Sequence, residues 1–261
     1  MLIKDIINYL ESRFPRELAE DFDQMRIGLV IGSGNIEVKK VLLTLDLTYE
    51  VVEEAINLGC NFIISHHPYL FDPLYKIDFE SDKGRTIRKM FEHNISLYAM
   101  HTNLDVGCGG VNDTLAKKLY LNEINIINNE IAKGNYLRYG NINEISLRDY
   151  ALKVKESLNL TGVKVIGDLN KKVTKAGIVG GSGAHISDII NAINVGCDCY
   201  VTGEVKLNIA QYALVNGLSI IEVNHGIEKE VFYELQKELN DKFNTDFIVS
   251  EIETDPSVII K

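Results

Sequence analysis

An α/β architecture of two similar halves is the fold that this sequence of 261 residues predicts, and three observations carry it. Strand-like apolar runs alternate with runs at helical spacing, the pattern of sheets layered with helices. The hexapeptide Ala55-Ile56-Asn57-Leu58-Gly59-Cys60 returns as Ala192-Ile193-Asn194-Val195-Gly196-Cys197, changed only at Leu58. Histidines collect just past strand-like runs, at the carboxyl ends where open α/β sheets keep their ligand crevices.

Residues 1–10 have apolar side chains at helical spacing broken by Lys4 and Asp5, so they read as a first helix and not a signal peptide. Strands are expected over 28–34 and 39–45; Gly32 and Gly34 make only a weak dinucleotide-loop match. Asp46 or Thr48 caps a helix running to Leu58, and a buried strand over 61–65 follows. Pro68 cannot continue a ladder, so that strand stops at His66-His67. Neighbours on a strand face opposite ways, so both rings serve one site only if the backbone turns there, or if the site holds two ions side by side.

A loop through Asp72-Pro73 leads to a helix over 85–93 and a strand over 95–100, which ends in His101-Thr102-Asn103-Leu104-Asp105. Gly107-Cys108-Gly109-Gly110 is a flexible turn into a helix over 111–119. The Asn-rich stretch 121–134 is weakly patterned, which sets expected domains of 1–125 and 126–261. A strand over 136–142 comes next, then a Ser146-Asp149 capping box for a helix over 147–158, and a strand over 163–167. Gly180-Gly181-Ser182-Gly183 precedes a helix starting near His185, and serves either an anion at that helix end or tight packing alone. Carried forward without gaps, the hexapeptide alignment sets 61–65 against 198–202 and His66-His67 against Gly203-Glu204. Duplicated units follow, with polar residues at equivalent strand ends.

Acidic residues number 37 against 27 basic, a net charge of −10 that opposes nucleic acid and anionic membrane as partners. Lys171-Lys172 with Lys175 reads as a solvated turn. No apolar segment approaches the roughly 20 residues a bilayer needs, so a cytoplasmic protein is expected. The four cysteines form no Cys-x-x-Cys pair; Cys197 and Cys199 share one strand face and read as reduced core thiols.

His66, His67, His101 and His225 sit at expected strand ends, whereas His93 and His185 lie on helices and need no special role. With Asp105 and Glu228 they make a mixed imidazole and carboxylate set suited to divalent zinc, iron or manganese. His225 and Glu228, three apart at a helix start, share one face. The metal candidates His66, His67, Asp105, His225 and Glu228 exceed one tetrahedral catalytic site, which favours two divalent ions per chain. His101 either bonds the backbone structurally or orients a ligand and shuttles protons. Glu204, opposite His67 in the repeat, is an acid–base candidate that can instead pair with Lys206.

Ser65-His66-His67-Pro68, His101-Thr102-Asn103-Leu104-Asp105 and the His225 to Glu228 turn resemble the three signatures of the Nif-three-like family, the GTP cyclohydrolase 1 type 2 homologs. The resemblance covers nearly the whole chain. It implies two similar α/β lobes with a dinuclear metal site in the cleft between them, assembled as a toroidal homohexamer. It implies His66, His67 and Asp105 as the first ligands, and His225 with Glu228 as the last two. Longer members carry an inserted middle domain that this chain lacks.

One departure stands out: the family spaces its last histidine four residues before the glutamate, and here Asn224 holds that place. Either a shifted turn lets His225 coordinate or Asn224 replaces it, and imidazole is the better ligand; Glu230 is an alternative carboxylate. Two functions follow from the resemblance. One is a metal-dependent hydrolase of a nucleotide or related small molecule, with His101 or Glu204 handling protons. The other is a non-catalytic metal-binding or protein-interaction assembly.

Overall fold

The apolar stripe at the amino end forms α1 (Ile3–Arg13), with Ile3, Ile6, Ile7 and Leu10 buried along it. The computed structural model describes residues 1–259. Beyond α1 come β1 (Gly28–Ile31), β2 (Lys40–Thr44), α2 (Tyr49–Leu58), β3 (Phe62–Ser65), α3 (Asp82–Glu92) and β4 (Ser96–Ala99). Thr48, not Asp46, caps α2: the Val51 N–H donates to its Oγ1 at 3.2 Å. All four residues of β3 and of β4 are buried, as expected of parallel strands covered on both faces. The segment after β4, read from sequence as the end of a strand and loop, is a turn of helix, α4 (Thr102–Val106).

The second unit holds α5 (Val111–Lys118), β5 (Asn122–Ile126), β6 (Arg138–Ser146), α6 (Leu147–Ser157), β7 (Lys164–Ile166), β8 (Lys172–Val179), α7 (Ile186–Asn194), β9 (Cys199–Thr202), α8 (Leu207–Val215) and β10 (Ser219–Glu222). Ser146 caps α6 by accepting from the Asp149 N–H at 3.1 Å and donating to its carboxylate at 2.6 Å. Last come a 3₁₀ turn (His225–Lys229), α9 (Glu230–Lys242) and β11 (Asp246–Val249).

Beside the expected division at 125/126, the chain packs as two compact units with other bounds. One compact unit is Met1–Gly107 with Phe232–Thr254, and the other is Cys108–Val231 with the segment from Asp255. The Asn-rich stretch is no linker, because β5 pairs antiparallel with β6. The chain's end returns to the first sheet, where β11 pairs parallel with β2.

Strand order is β1-β4-β3-β2-β11 in the first sheet and β5-β6-β8-β9-β10-β7 in the second. Within them β1-β4-β3-β2 and β7-β10-β9-β8 are the same arrangement: three parallel strands, with the earliest strand antiparallel at one edge. The duplication read from one hexapeptide thus extends to the sheet topology. Its glycines, Gly59 and Gly196, both close a helix in the left-handed region, at φ 75° and 77°.

Cys60, Cys197 and Cys199 are buried, and burial pushes the Cys60 thiol up to about 11 and Cys197 up to about 12. Cys108 is exposed. Lys171 is more than a solvated turn residue, since its Nζ donates to the carbonyls of Asp198 and Gly217 at 2.7 and 2.6 Å. Among the described residues no helix is long and apolar enough to cross a membrane.

Asp188 on α7 is buried at 7% exposure, which pushes its carboxyl up to about 6 against a smaller opposing effect of His185. The folded state therefore holds this proton more tightly than the unfolded chain, and stability falls as pH rises from about 4 through about 6. Asp188→Asn is expected to remove that fall and raise stability at pH 7 by about 1–3 kcal/mol, measured by chemical denaturation across that range.

Candidate metal centre

In the first unit the sheet itself delivers the donors. β2, β3 and β4 run parallel, so their carboxyl ends lie along one edge, and His66 and His67 follow β3 there while His101 follows β4. The backbone turns past Ser65: the His67 N–H donates to the Leu45 carbonyl, and Ser65 Oγ donates to the His67 carbonyl at 3.0 Å. The turn brings the neighbouring rings onto one side, with centroids 4.9 Å apart, and the His101 ring stands 5.2 Å from His66 and 5.6 Å from His67. One nitrogen of each of these three rings lies within 4.8 Å of the others.

Asp105 joins them through α4. Its N–H and that of Leu104 donate to the His101 carbonyl, and its Oδ1 stands 3.5 Å from His66 Nε2. Asn103 locks the turn, accepting from the His101 N–H at 3.0 Å and donating to the Phe14 carbonyl at 2.8 Å.

In the second unit the donors follow β10. The 3₁₀ turn has three residues per revolution, so positions three apart eclipse, and His225 Nε2 lies 3.2 Å from Glu228 Oε2. Asn224 begins the turn and hydrogen-bonds the Asp255 carboxyl. Glu230 pairs with Lys118 at 2.5 Å. The glycine turn packs against the donors: a Cβ on Gly181, whose φ is +55°, would stand 2.3 Å from Glu228 Oε1 and 3.0 Å from His225 Nε2.

Each of three histidines is braced at Nδ1. His67 Nδ1 lies 2.6 Å from Asp46 Oδ1, His101 Nδ1 3.0 Å from Asp23 Oδ1, and His225 Nδ1 3.0 Å from Glu204 Oε1. The other oxygen of each carboxylate accepts from a hydroxyl: Thr254 at 2.6 Å, Thr102 at 2.8 Å and Ser182 at 2.8 Å, in the same order. Burial raises the Asp23 and Asp46 carboxyls, but the imidazole and hydroxyl bonds outweigh it and leave both below the ordinary range. Glu204 is lowered chiefly by its His225 and Ser182 bonds.

A carboxylate that stays ionised can only accept, so each Nδ1 carries the proton, and in the neutral ring Nε2 is then the nitrogen with the lone pair. That is the arrangement found behind metal-ligating imidazoles, and with Asp105 and Glu228 the donor chemistry fits zinc, iron or manganese. Glu204 thus engages His225 and Ser182, not Lys206, and the His101 ring bonds Asp23. Sequence reading missed Asp23, Asp46 and Thr254. Asp46 directly follows β2 and was weighed only as a helix cap, while Asp23 lies between regular elements and shows no pattern. His93 and His185 are exposed beside helix ends.

The family model described as Duf34/NIF3 (NGG1p interacting factor 3) matches residues 1–256. A Clostridium perfringens protein named GTP cyclohydrolase 1 type 2 homolog is 33% identical over 263 residues, covering 98% of this chain and 98% of that one. A Staphylococcus aureus protein of the same name is 29% identical over 367 residues, covering 98% of this chain and 99% of its own length; the longer alignment means it carries residues this chain lacks. Among solved structures, a Bacillus cereus protein related to NIF3 superposes with a TM-score of 0.91 at 28% identity, covering 100% of this chain and 99% of that chain. A Staphylococcus aureus hypothetical protein superposes at 0.92 with 34% identity and the same coverage.

Gly181→Ala is expected to displace Glu228 and to strain a left-handed residue. Chelator competition on the purified variant should show divalent-metal affinity reduced about 10-fold or more, with a stability loss of only about 1 kcal/mol.

Proposed function

The chain belongs to the Duf34/NIF3 family, and from that premise we propose that it is a metal-dependent hydrolase with a dinuclear centre, acting on a nucleotide or related small molecule. The observation that carries the reading is the carboxylate brace behind His67, His101 and His225, which leaves every Nε2 as a ligand atom. His66, His67 and Asp105 would hold one ion, and His225 with Glu228 a second. Bound divalent ions would supply Lewis acidity toward a carbon or phosphorus centre open to hydrolysis.

The protein's own groups supply the rest. Asp23 holds the His101 ring in one tautomer and orientation, so His101 can pass a proton without turning, while Glu204, beside His225, is the second proton-handling candidate. The second unit contains a cavity of about 970 Å³ with Ser182, Glu204, Lys206 and Tyr212 in its walls, a size that suits a nucleotide. Glu204 thus meets both the cavity and a metal ligand. The name shared by curated relatives, GTP cyclohydrolase 1 type 2 homolog, is the support for a purine nucleotide.

A second reading, a ring-like assembly that handles metal or docks partners without turnover, draws on α8. That helix buries Ile209, Ala210 and Ala213, yet leaves Leu207 75% and Val215 86% exposed. Exposed apolar residues at both ends of one helix are normally covered, and a homohexamer would cover them.

Elemental analysis of purified protein should find about two divalent ions per chain, and about none would remove the premise of the hydrolase. His67→Ala should lose about one ion and all metal-dependent turnover in a nucleotide screen; an active parent chain decides for hydrolysis, and an inactive metal-loaded one for the assembly. Leu207→Glu with Val215→Glu should lower the sedimenting mass while leaving metal content unchanged.

A further inference from the structure

Of the three carboxylate braces, the one behind His67 reaches furthest along the chain. Thr102 adjoins His101 in sequence and Ser182 lies 22 residues from Glu204, whereas Thr254 is 208 residues from Asp46. Parallel pairing explains how it arrives. β11 and β2 leave the sheet at the same edge, with Val249 opposite Leu43, so residues just past β11 run beside those just past β2, Asp46 among them.

Hydrogen bonds hold that path. The Ser250 N–H continues the ladder onto the Leu43 carbonyl at 2.8 Å. Ser250 Oγ and the Glu251 N–H, the latter at 2.8 Å, both engage the Glu54 carboxylate on α2. Thr254 Oγ1 then donates to Asp46 Oδ2 at 2.6 Å, while Asp46 Oδ1 accepts from His67 Nδ1 at 2.6 Å. Each oxygen of Asp46 therefore has its own donor, and the carboxylate plane cannot rotate without breaking one of them.

We propose that the segment Ser250 to Thr254 is a built-in part of the metal site, with Thr254 a positioning residue that fixes Asp46 and, through it, the tautomer and aim of His67. The inference rests on the metal reading of the centre, since a hydroxyl two bonds removed from a ring matters only if that ring has a ligand to meet. Partners one layer behind a ligand typically govern about 10- to 100-fold in metal affinity. Thr254 lies one layer further out but is, among the described residues, the hydroxyl donor to Asp46 Oδ2.

The test uses the full chain and Zn²⁺ alone, with affinity read by competition against a chelating dye. Thr254→Val, which keeps the shape and removes the hydroxyl, should weaken Zn²⁺ binding about 10-fold and speed its loss to excess chelator. Thr254→Ser should return affinity to within about threefold of the parent. In the metal-free chain, ¹⁵N shifts should show His67 losing part of its Nδ1–H tautomer in the Val variant and regaining it in the Ser variant. Zn²⁺ affinity within about twofold of the parent in Thr254→Val overturns the proposal, as does failure of Ser to restore it. A parent chain that takes up no Zn²⁺ overturns the metal reading and this inference with it, a result distinct from a parent that binds and a variant that binds as well.

Discussion

The constraint on which the candidate site depends is that a neutral imidazole keeps the lone pair of one nitrogen aimed in a fixed direction when its other nitrogen carries the proton and is held as a donor. Here three rings meet that condition in the same way, through Asp46, Asp23 and Glu204, and each carboxylate is itself held by a hydroxyl. Keeping the buried Asp23 and the half-buried Asp46 ionised costs solvation free energy, and the donors around them offset it. The result is a set of rings whose direction is decided before any ligand binds, which is what pre-organisation means for a metal site.

The fold makes this possible by repeating one arrangement twice and then spending the copies differently. In each unit, parallel strands deliver the residues that follow them to one sheet edge. After β3 come His66 and His67, whereas after the equivalent β9 come Gly203 and Glu204. The glycine is required there, because a Cβ would stand 2.5 Å from the Gly181 carbonyl oxygen and 3.1 Å from the His225 Cα. One unit thus supplies clustered imidazoles, and the other supplies a histidine and glutamate backed by close-packed glycines.

Membership of the Duf34/NIF3 family and this donor chemistry agree with each other but arise independently. The family follows from likeness along residues 1–256, and the metal fit follows from hydrogen bonds that likeness alone does not specify. His225 and Glu228, three residues apart, are brought together by the pitch of a 3₁₀ turn. A spacing that looks short on an α-helix is in register there.

Periodicity, the repeated hexapeptide and histidines placed after apolar runs determined the α/β class and the duplication and singled out the candidate donor residues, because each is a local pattern written in neighbouring side chains. The turn at Ser65 that puts adjacent rings on one side was one of two alternatives until backbone hydrogen bonds decided it. The return of β11 to the first sheet, and the pairing of Asp23, Asp46 and Thr254 with residues far along the chain, belonged to the tertiary structure alone. Nothing in an isolated aspartate or threonine marks its partner; only strands packed side by side bring such residues within hydrogen-bonding distance.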